Sequence, residues 1–370
     1  MVLRILVLNY EFPPLGGGAS PVSYEIAKGY VKLGHSVDVV TMGFKGLPAH
    51  EKKDGINIYR VPCLRSKKEI CHPWEQLTYI ISAKRFLKNH LKTHSYDINH
   101  THFIIPTGII SLWLKKKYGL PYIITSHGSD VPGYNPDRFK ILHTFTKPTL
   151  KKILDSSKGV FTSSFYLANL IKINVESSTP VNVIREGFDH NKFKPRPKKK
   201  IILSTGRLLD RKGFQYLIRS VQNKSYGYDL HICGMGPMMS TLKELAKDSR
   251  TKIVFHGWLE NNSEEYKNLI ESSEIYCLLS SQENSSISLL EAMSAGCVLI
   301  TSNATGCKET VGKAGFNVEA KNINEIRKIL SYISKNPSIS KKYGKLARRK
   351  ILKERKWNDT VQSYIVFLEK

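Results

Sequence analysis

Two glutamates, Glu283 and Glu291, stand eight positions apart in Ser281-Gln282-Glu283-Asn284-Ser285-Ser286-Ile287-Ser288-Leu289-Leu290-Glu291-Ala292-Met293. A carboxylate pair in one cleft can divide acid and base work between its members, or it can orient a ligand without exchanging protons. A second group of residues bears on that choice. Ser204-Thr205-Gly206-Arg207-Leu208-Leu209-Asp210-Arg211-Lys212-Gly213 places Arg207 and Lys212 on one short loop. Two fixed cations there can hold a diphosphate and stabilise it as a leaving group, against the blander reading of solvated surface charge.

The elements that must position these groups are readable around them. An apolar strand, Ile275-Tyr276-Cys277-Leu278-Leu279, leads into the glutamate segment, and Leu289-Leu290-Glu291-Ala292-Met293 is strongly helix-forming. Glu291 is therefore expected about one turn into a helix and Glu283 on the loop before it, both at the carboxyl end of a strand, where open α/β sheets bind ligands. The Arg207 loop likewise ends a strand, Ile201 to Thr205.

Near the amino terminus, Gly16-Gly17-Gly18 lies between the first strand and the first helix, so backbone amides are offered to an anionic ligand. The alternatives are a tight turn and a dinucleotide fingerprint. The fingerprint is disfavoured, because Pro21 takes the place of its third glycine and Asp38 lies inside the second strand rather than at its end. His127, in Thr125-Ser126-His127-Gly128, caps the strand Tyr122 to Ser126 and is followed by a glycine that lets a ligand approach the backbone. It is expected to point into a cleft, with a satisfied structural histidine as the other reading.

Strand-like and helix-like segments alternate from end to end, the pattern of α/β layers built on parallel sheets. Strands are expected over residues 4–9, 36–41, 56–61, 98–101, 122–126, 159–163 and 181–184, then 201–205, 229–233, 253–256, 275–279 and 298–301. Phe193-Lys194-Pro195-Arg196-Pro197-Lys198-Lys199-Lys200 interrupts the series with two prolines and a charge run. The expected organisation is two tandem Rossmann-like domains, residues 1–192 and 201–356, joined by a linker at 193–200 and facing an interdomain cleft. Residues 338–354 and 357–370 read as amphipathic helices.

The composition admits a soluble or peripheral protein. At 370 residues, with 41% hydrophobic and 10% aromatic residues, the chain can build two cores. Its longest apolar stretch, residues 104–114, is interrupted by Pro106 and Gly108 and falls short of the ~20 residues that span a bilayer. Six cysteines without a CxxC pair suit a reduced, cytoplasmic setting. The net charge of +26 makes polyanions, anionic membrane surfaces and phosphorylated small molecules plausible partners. No Asp-x-Asp pair occurs, and His100-Thr101-His102 lacks a third ligand at recognisable spacing, so no metal or other cofactor is expected.

Taken together, these residues resemble the retaining GT-B glycosyltransferases of family 4. The most specific element is the E-x7-E signature of Glu283 and Glu291, followed by Ser294-Ala295-Gly296-Cys297-Val298-Leu299-Ile300. Gly206-Arg207 with Lys212-Gly213 is similar to the family's diphosphate loop, His127-Gly128 to its first-domain histidine, and Gly17-Gly18 to its glycine loop. The resemblance implies that Arg207 and Lys212 bind the nucleotide diphosphate, Glu291 the ribose and Glu283 the transferred sugar. It also implies that the amides of Ile287, Ser288 and Leu289 reach the phosphates, and that His127 donates to the sugar or to developing charge. The last helix, from Trp357-Asn358-Asp359, would cross back onto the first domain.

Under that likeness the glutamate pair reads as a positioning device rather than an acid and base. The implied partners are a nucleotide-sugar donor, a glycan or lipid-linked acceptor and an anionic membrane surface at the cytoplasmic face, with no nucleic acid. Many family members carry Gly-Phe-Gly after the first glutamate where Asn284-Ser285-Ser286 stands here, so the donor sugar, UDP versus GDP, and the acceptor stay open. Two rival readings are a sugar-nucleotide epimerase of the same fold and a basic nucleic-acid-binding protein. The second lacks any recognition module or interleaved basic and aromatic motif.

Overall fold

The computed structural model describes residues 2–369, with residues 136–145 described by their backbone alone. The chain divides into two compact units: residues 1–187 together with 357–370, and residues 188–356.

The first unit contains β1 (Arg4–Leu8), α1 (Ala19–Lys32), β2 (Ser36–Met42), β3 (His50–Lys53), β4 (Ile56–Val61), α2 (Pro73–His90), β5 (Ile98–His102), α3 (Thr107–Tyr118), β6 (Tyr122–Thr125), α4 (Pro136–Asp155), β7 (Gly159–Thr162), α5 (Phe165–Val175) and β8 (Val181–Val183). Its sheet runs β3-β4-β2-β1-β5-β6-β7-β8, parallel except for the β3–β4 hairpin. β3 was not expected from the sequence. Asp54 and Gly55, at φ of 49° and 81°, form the tight turn into β4, and an Asp-Gly pair of this kind is the short-range hairpin signal.

The second unit contains β9 (Lys199–Thr205), α6 (Phe214–Val221), β10 (Asp229–Cys233), α7 (Met239–Ala246), β11 (Ile253–Gly257), α8 (Glu264–Ser272), β12 (Ser273–Leu278), α9 (Ile287–Ser294), β13 (Val298–Ser302), α10 (Gly306–Val311), β14 (Phe316–Val318), α11 (Ile323–Lys335) and α12 (Pro337–Glu354). Its all-parallel sheet runs β11-β10-β9-β12-β13-β14. Both sheets are covered on two faces, which is why β1, β12 and β13 read as continuous apolar runs rather than as alternating ones.

The final helix, α13 (Trp357–Leu368), belongs to the first unit. Val361, Tyr364, Ile365 and Leu368 join the core that contains Ile26, Ala27 and Tyr30 of α1. The helices meet at Gly29, where a Cβ would lie 2.3 Å from Val361 Cγ2.

The stretch expected to link two domains instead packs into the second unit, and the division falls at Gly187/Phe188. Phe193 is fully buried there. Lys194 N–H donates to Glu271 at 2.7 Å, Arg196 pairs with the same buried carboxylate at 2.6 Å, and Lys198 Nζ donates to the Ala295 carbonyl at 2.7 Å. Pro195 and Pro197 stop regular structure without preventing burial, and the lysines and arginine find fixed acceptors.

Candidate active site

In the second unit the candidate residues gather at the carboxyl ends of β9, β10 and β12. Gly206 leaves β9 at φ 144°, and its N–H donates to the Cys233 carbonyl at 3.0 Å. Gly234, after β10, sits so close that a Cβ there would lie 1.9 Å from the Gly206 carbonyl oxygen. At φ 76°, Gly213 closes the same loop, and a Cβ there would meet the Leu279 carbonyl oxygen at 2.3 Å. The loop carrying Arg207 and Lys212 is therefore pressed backbone to backbone against the end of β12, an approach only glycine permits.

The segment leading to Glu283 is tied to that loop from the other side. Ser281 N–H and Ser280 Oγ both donate to the Arg211 carbonyl, at 2.8 and 3.1 Å. Gly306 N–H donates to the Glu283 carbonyl at 3.0 Å, and a Cβ on Gly306 would lie 1.8 Å from the Asn284 carbonyl oxygen. These ties bring together Lys212 and Glu283, 71 residues apart, in a hydrogen-bonded ion pair whose side chains are 16% and 11% exposed. Arg207 is exposed on the same loop.

Glu291 lies about one turn into α9, as its spacing predicts, but it is nearly fully buried. Burial pushes its carboxyl up to about 7, while the hydrogen bond from Tyr266 and the charge of Lys192 pull it partly back. Tyr266, on α8, donates to Glu291 Oε2 at 2.5 Å. No sequence spacing relates these two residues across β12, so sequence reasoning missed the tyrosine. At the start of α9, Leu289 N–H already donates to the Ser286 carbonyl at 3.1 Å, and Leu289 is buried. Ile287 and Ser288 are half-buried at the head of the turn.

In the first unit His127 follows β6. Asp130, also missed from sequence, builds its loop: the buried carboxylate accepts from the backbone N–H of Ile104 at 2.7 Å, Gly128 at 3.0 Å and His127 at 3.3 Å, and from Ser126 Oγ at 3.1 Å. Gly128 turns at φ 112° above the Tyr134 ring, which a Cβ would meet at 2.8 Å. His127 is half-buried, and burial holds its imidazole down at about 3, so it is neutral at physiological pH. Its ring packs 4.8 Å from that of Phe103, which in turn lies 4.9 Å from Tyr10 in the segment leading to the glycine loop. In that loop Gly16 takes φ 93°, and Gly17 N–H faces the Glu11 carboxylate at 3.4 Å. His127, Gly17 and Gly18 thus belong to the first unit, and every other candidate belongs to the second.

Sequence profiles match both parts of the chain: Glycosyltransferase Family 4 over residues 16–192 and Glycosyl transferases group 1 over residues 186–350. The chain belongs to glycosyltransferase family 4. It is 28% identical to an uncharacterized glycosyltransferase of Methanocaldococcus jannaschii over 84% of this chain and 83% of that one. It is 24% identical to the N-acetyl-alpha-D-glucosaminyl L-malate synthase of Bacillus anthracis over 98% of this chain and 96% of that one. Among solved structures it resembles Anabaena HepE in complex with UDP and glucose, with a TM-score of 0.76 at 17% identity, covering 99% of both chains. The fold of this glycosyltransferase is GT-B, and its second unit places cations, carboxylates and a helix amino terminus on adjoining loops.

Proposed function

We propose that this glycosyltransferase moves a hexosyl group, with retention at the anomeric carbon, from a nucleotide-diphosphate sugar to an acceptor hydroxyl of a glycan or lipid-linked precursor. The observation that carries the reading is the Lys212–Glu283 pair, held on loops that also bear Arg207 and the start of α9. A partly buried ammonium and an exposed guanidinium supply the positive charge that a departing diphosphate needs, which supports a metal-independent reaction. Lys212 and Arg207 bind the diphosphate, the amides of Ile287 and Ser288 add to that anion site, Glu291 accepts from the ribose, and Glu283 orients both Lys212 and the sugar. His127 meets a sugar hydroxyl or the developing charge. Gly17 and Gly18 contribute backbone to the donor.

The reaction is a same-face substitution. The bond from the anomeric carbon to the diphosphate oxygen breaks, the acceptor oxygen bonds to that carbon on the same face, and the acceptor's proton passes to the departing phosphate oxygen. Calorimetric titration with UDP and GDP, followed by a screen of sugar nucleotides for transfer and hydrolysis, tests the assignment. Binding of neither nucleotide would overturn it, and interconversion of sugar nucleotides without an acceptor would favour an epimerase.

The surface of α2 supports attachment to an anionic membrane at its cytoplasmic face. No helix among the described residues is long and apolar enough to cross a membrane. Trp74, Leu77 and Ile81 are 53%, 60% and 70% exposed on one side of α2, and exposed Arg85 and Lys88 continue the same side. With a net charge of +26, this face suits a bilayer whose headgroups are acidic. Trp74→Glu/Ile81→Glu is expected to abolish cosedimentation with anionic vesicles at low salt. Wild-type protein that ignores anionic lipid would refute the attachment.

A further inference from the structure

Strand β5 runs through the middle of the first sheet, yet Asn99, His100, Thr101 and His102 on it are all fully buried. His100 is accounted for: its Nδ1 is 2.9 Å from the Tyr30 hydroxyl and its Nε2 is 2.8 Å from Thr125 Oγ1. Thr125 spends its own proton on the Tyr364 hydroxyl at 3.0 Å, so Thr125 accepts from His100 Nε2–H, and His100 Nδ1 accepts from Tyr30.

His102 differs. Its Nδ1 lies 3.0 Å from His127 Nε2, the rings are nearly parallel at 17°, and its Nε2 is buried with no hydrogen-bond partner among the described residues. Burial lowers the pKa of both rings, so each is neutral and carries one proton. Two tautomer pairs fit the shared hydrogen bond. If His127 Nε2–H were the donor, the single proton of His102 would sit on its buried, unpartnered Nε2. If His102 Nδ1–H is the donor, the unpartnered Nε2 is only a bare acceptor. Buried N–H groups are left unpaired more rarely than buried acceptors, which selects the second arrangement.

We infer that His102 is a positioning residue: by donating from Nδ1 to His127 Nε2 it sets the tautomer of His127, so that His127 carries its proton on Nδ1 and acts toward a ligand as a hydrogen-bond donor. The inference rests on the proposed role of His127 for its purpose, but not for its test. It assigns a task to a residue that the sequence marks only as one of a histidine pair lacking a third metal ligand. It also explains why a buried strand keeps a polar ring where an apolar one would pack: the ring fixes which face of its neighbour is protonated.

The test is the ring-nitrogen spectrum of protein labelled with 15N-histidine, recorded by two-bond 15N–1H correlation. Both His102 and His127 are expected as Nδ1–H tautomers in the full-length wild-type enzyme, without ligand. His102→Asn puts an amide NH2 close to the position of the lost Nδ1–H and is expected to keep the Nδ1–H form of His127 and at least one third of wild-type kcat. His102→Phe preserves bulk but removes the donor; it is expected to release His127 to the Nε2–H form and lower kcat at least tenfold, with the dissociation constant for UDP or GDP within twofold of wild type. An Nε2–H signal at His127 in the wild type overturns the inference, as does an Nδ1–H signal that survives His102→Phe. Because the wild-type spectrum needs neither variant nor substrate, failure of the glycosyl-transfer reading would appear separately, as absence of nucleotide binding.

Discussion

The two units solve the problem of placing polar groups at strand ends in opposite ways. At the carboxyl end of β6, the first unit keeps its candidate ring neutral: His127 leans on His102, and the carboxylate of the same loop, Asp130, is spent on backbone amides. At the ends of β9 and β12, the second unit keeps charge, setting Lys212 against Glu283 and leaving Arg207 exposed. A neutral ring can act only by hydrogen bonding, whereas fixed cations can absorb a full charge as it develops. Under the proposed function, sugar recognition falls to the first unit's histidine and leaving-group stabilisation to the second unit's loop.

The sharpest way to break that assignment is to remove a cation. Lys212→Ala and Arg207→Ala are each expected to cost ~2 to 4 kcal/mol in transition-state stabilisation, measured as the loss in kcat/KM. Turnover within about threefold of wild type for both would leave less than ~1 kcal/mol to explain and would sink the leaving-group role. Asp130→Ala probes the other unit. It strands the amides of Ile104 and Gly128, so unfolding free energy should fall by ~2 to 3 kcal/mol in a denaturant titration. An unchanged midpoint would mean that the His127 loop does not depend on that carboxylate.

The smallest effect sharpens the contrast between neutral and charged groups. Glu291 is raised from 4.5 to about 7 by burial, so its contribution to stability is fully present below the unfolded value and is lost as pH rises through the folded one. Glu291→Gln keeps an acceptor for Tyr266 and removes that loss. Relative to wild type it should gain ~1 to 3 kcal/mol between pH 4.5 and pH 7, seen as a melting-temperature difference that is larger at pH 8 than at pH 5. A difference independent of pH would show that the carboxyl is not held protonated by the fold.

Much of this architecture is legible in the sequence alone. The apolar runs of β1, β12 and β13, the glycines after strands, and the placement of Glu291 one turn into α9 all follow from local propensity and the demand that parallel sheets be buried on both faces. What was not legible depended on distant partners. The prolines at 195 and 197 suggested a linker, yet Glu271, from α8, anchors Lys194 and Arg196 and draws the stretch into the second unit. β3 was overlooked because its residues, His50 to Lys53, carry no apolar alternation, although Asp54-Gly55 marked the turn.

The sequence by itself determined two α/β halves, the E-x7-E segment and the cationic loop, because residue types and short spacings dictate helices, strands and the turns between them. Only the tertiary structure decided which groups touch. Lys212 reaches Glu283 across 71 residues, Tyr266 reaches Glu291 across 25, and His102 reaches His127 across another 25. The physical reason is that charge, proton position and pKa depend on burial and on a partner a few ångströms away, and parallel strands bring such partners together from distant parts of the chain.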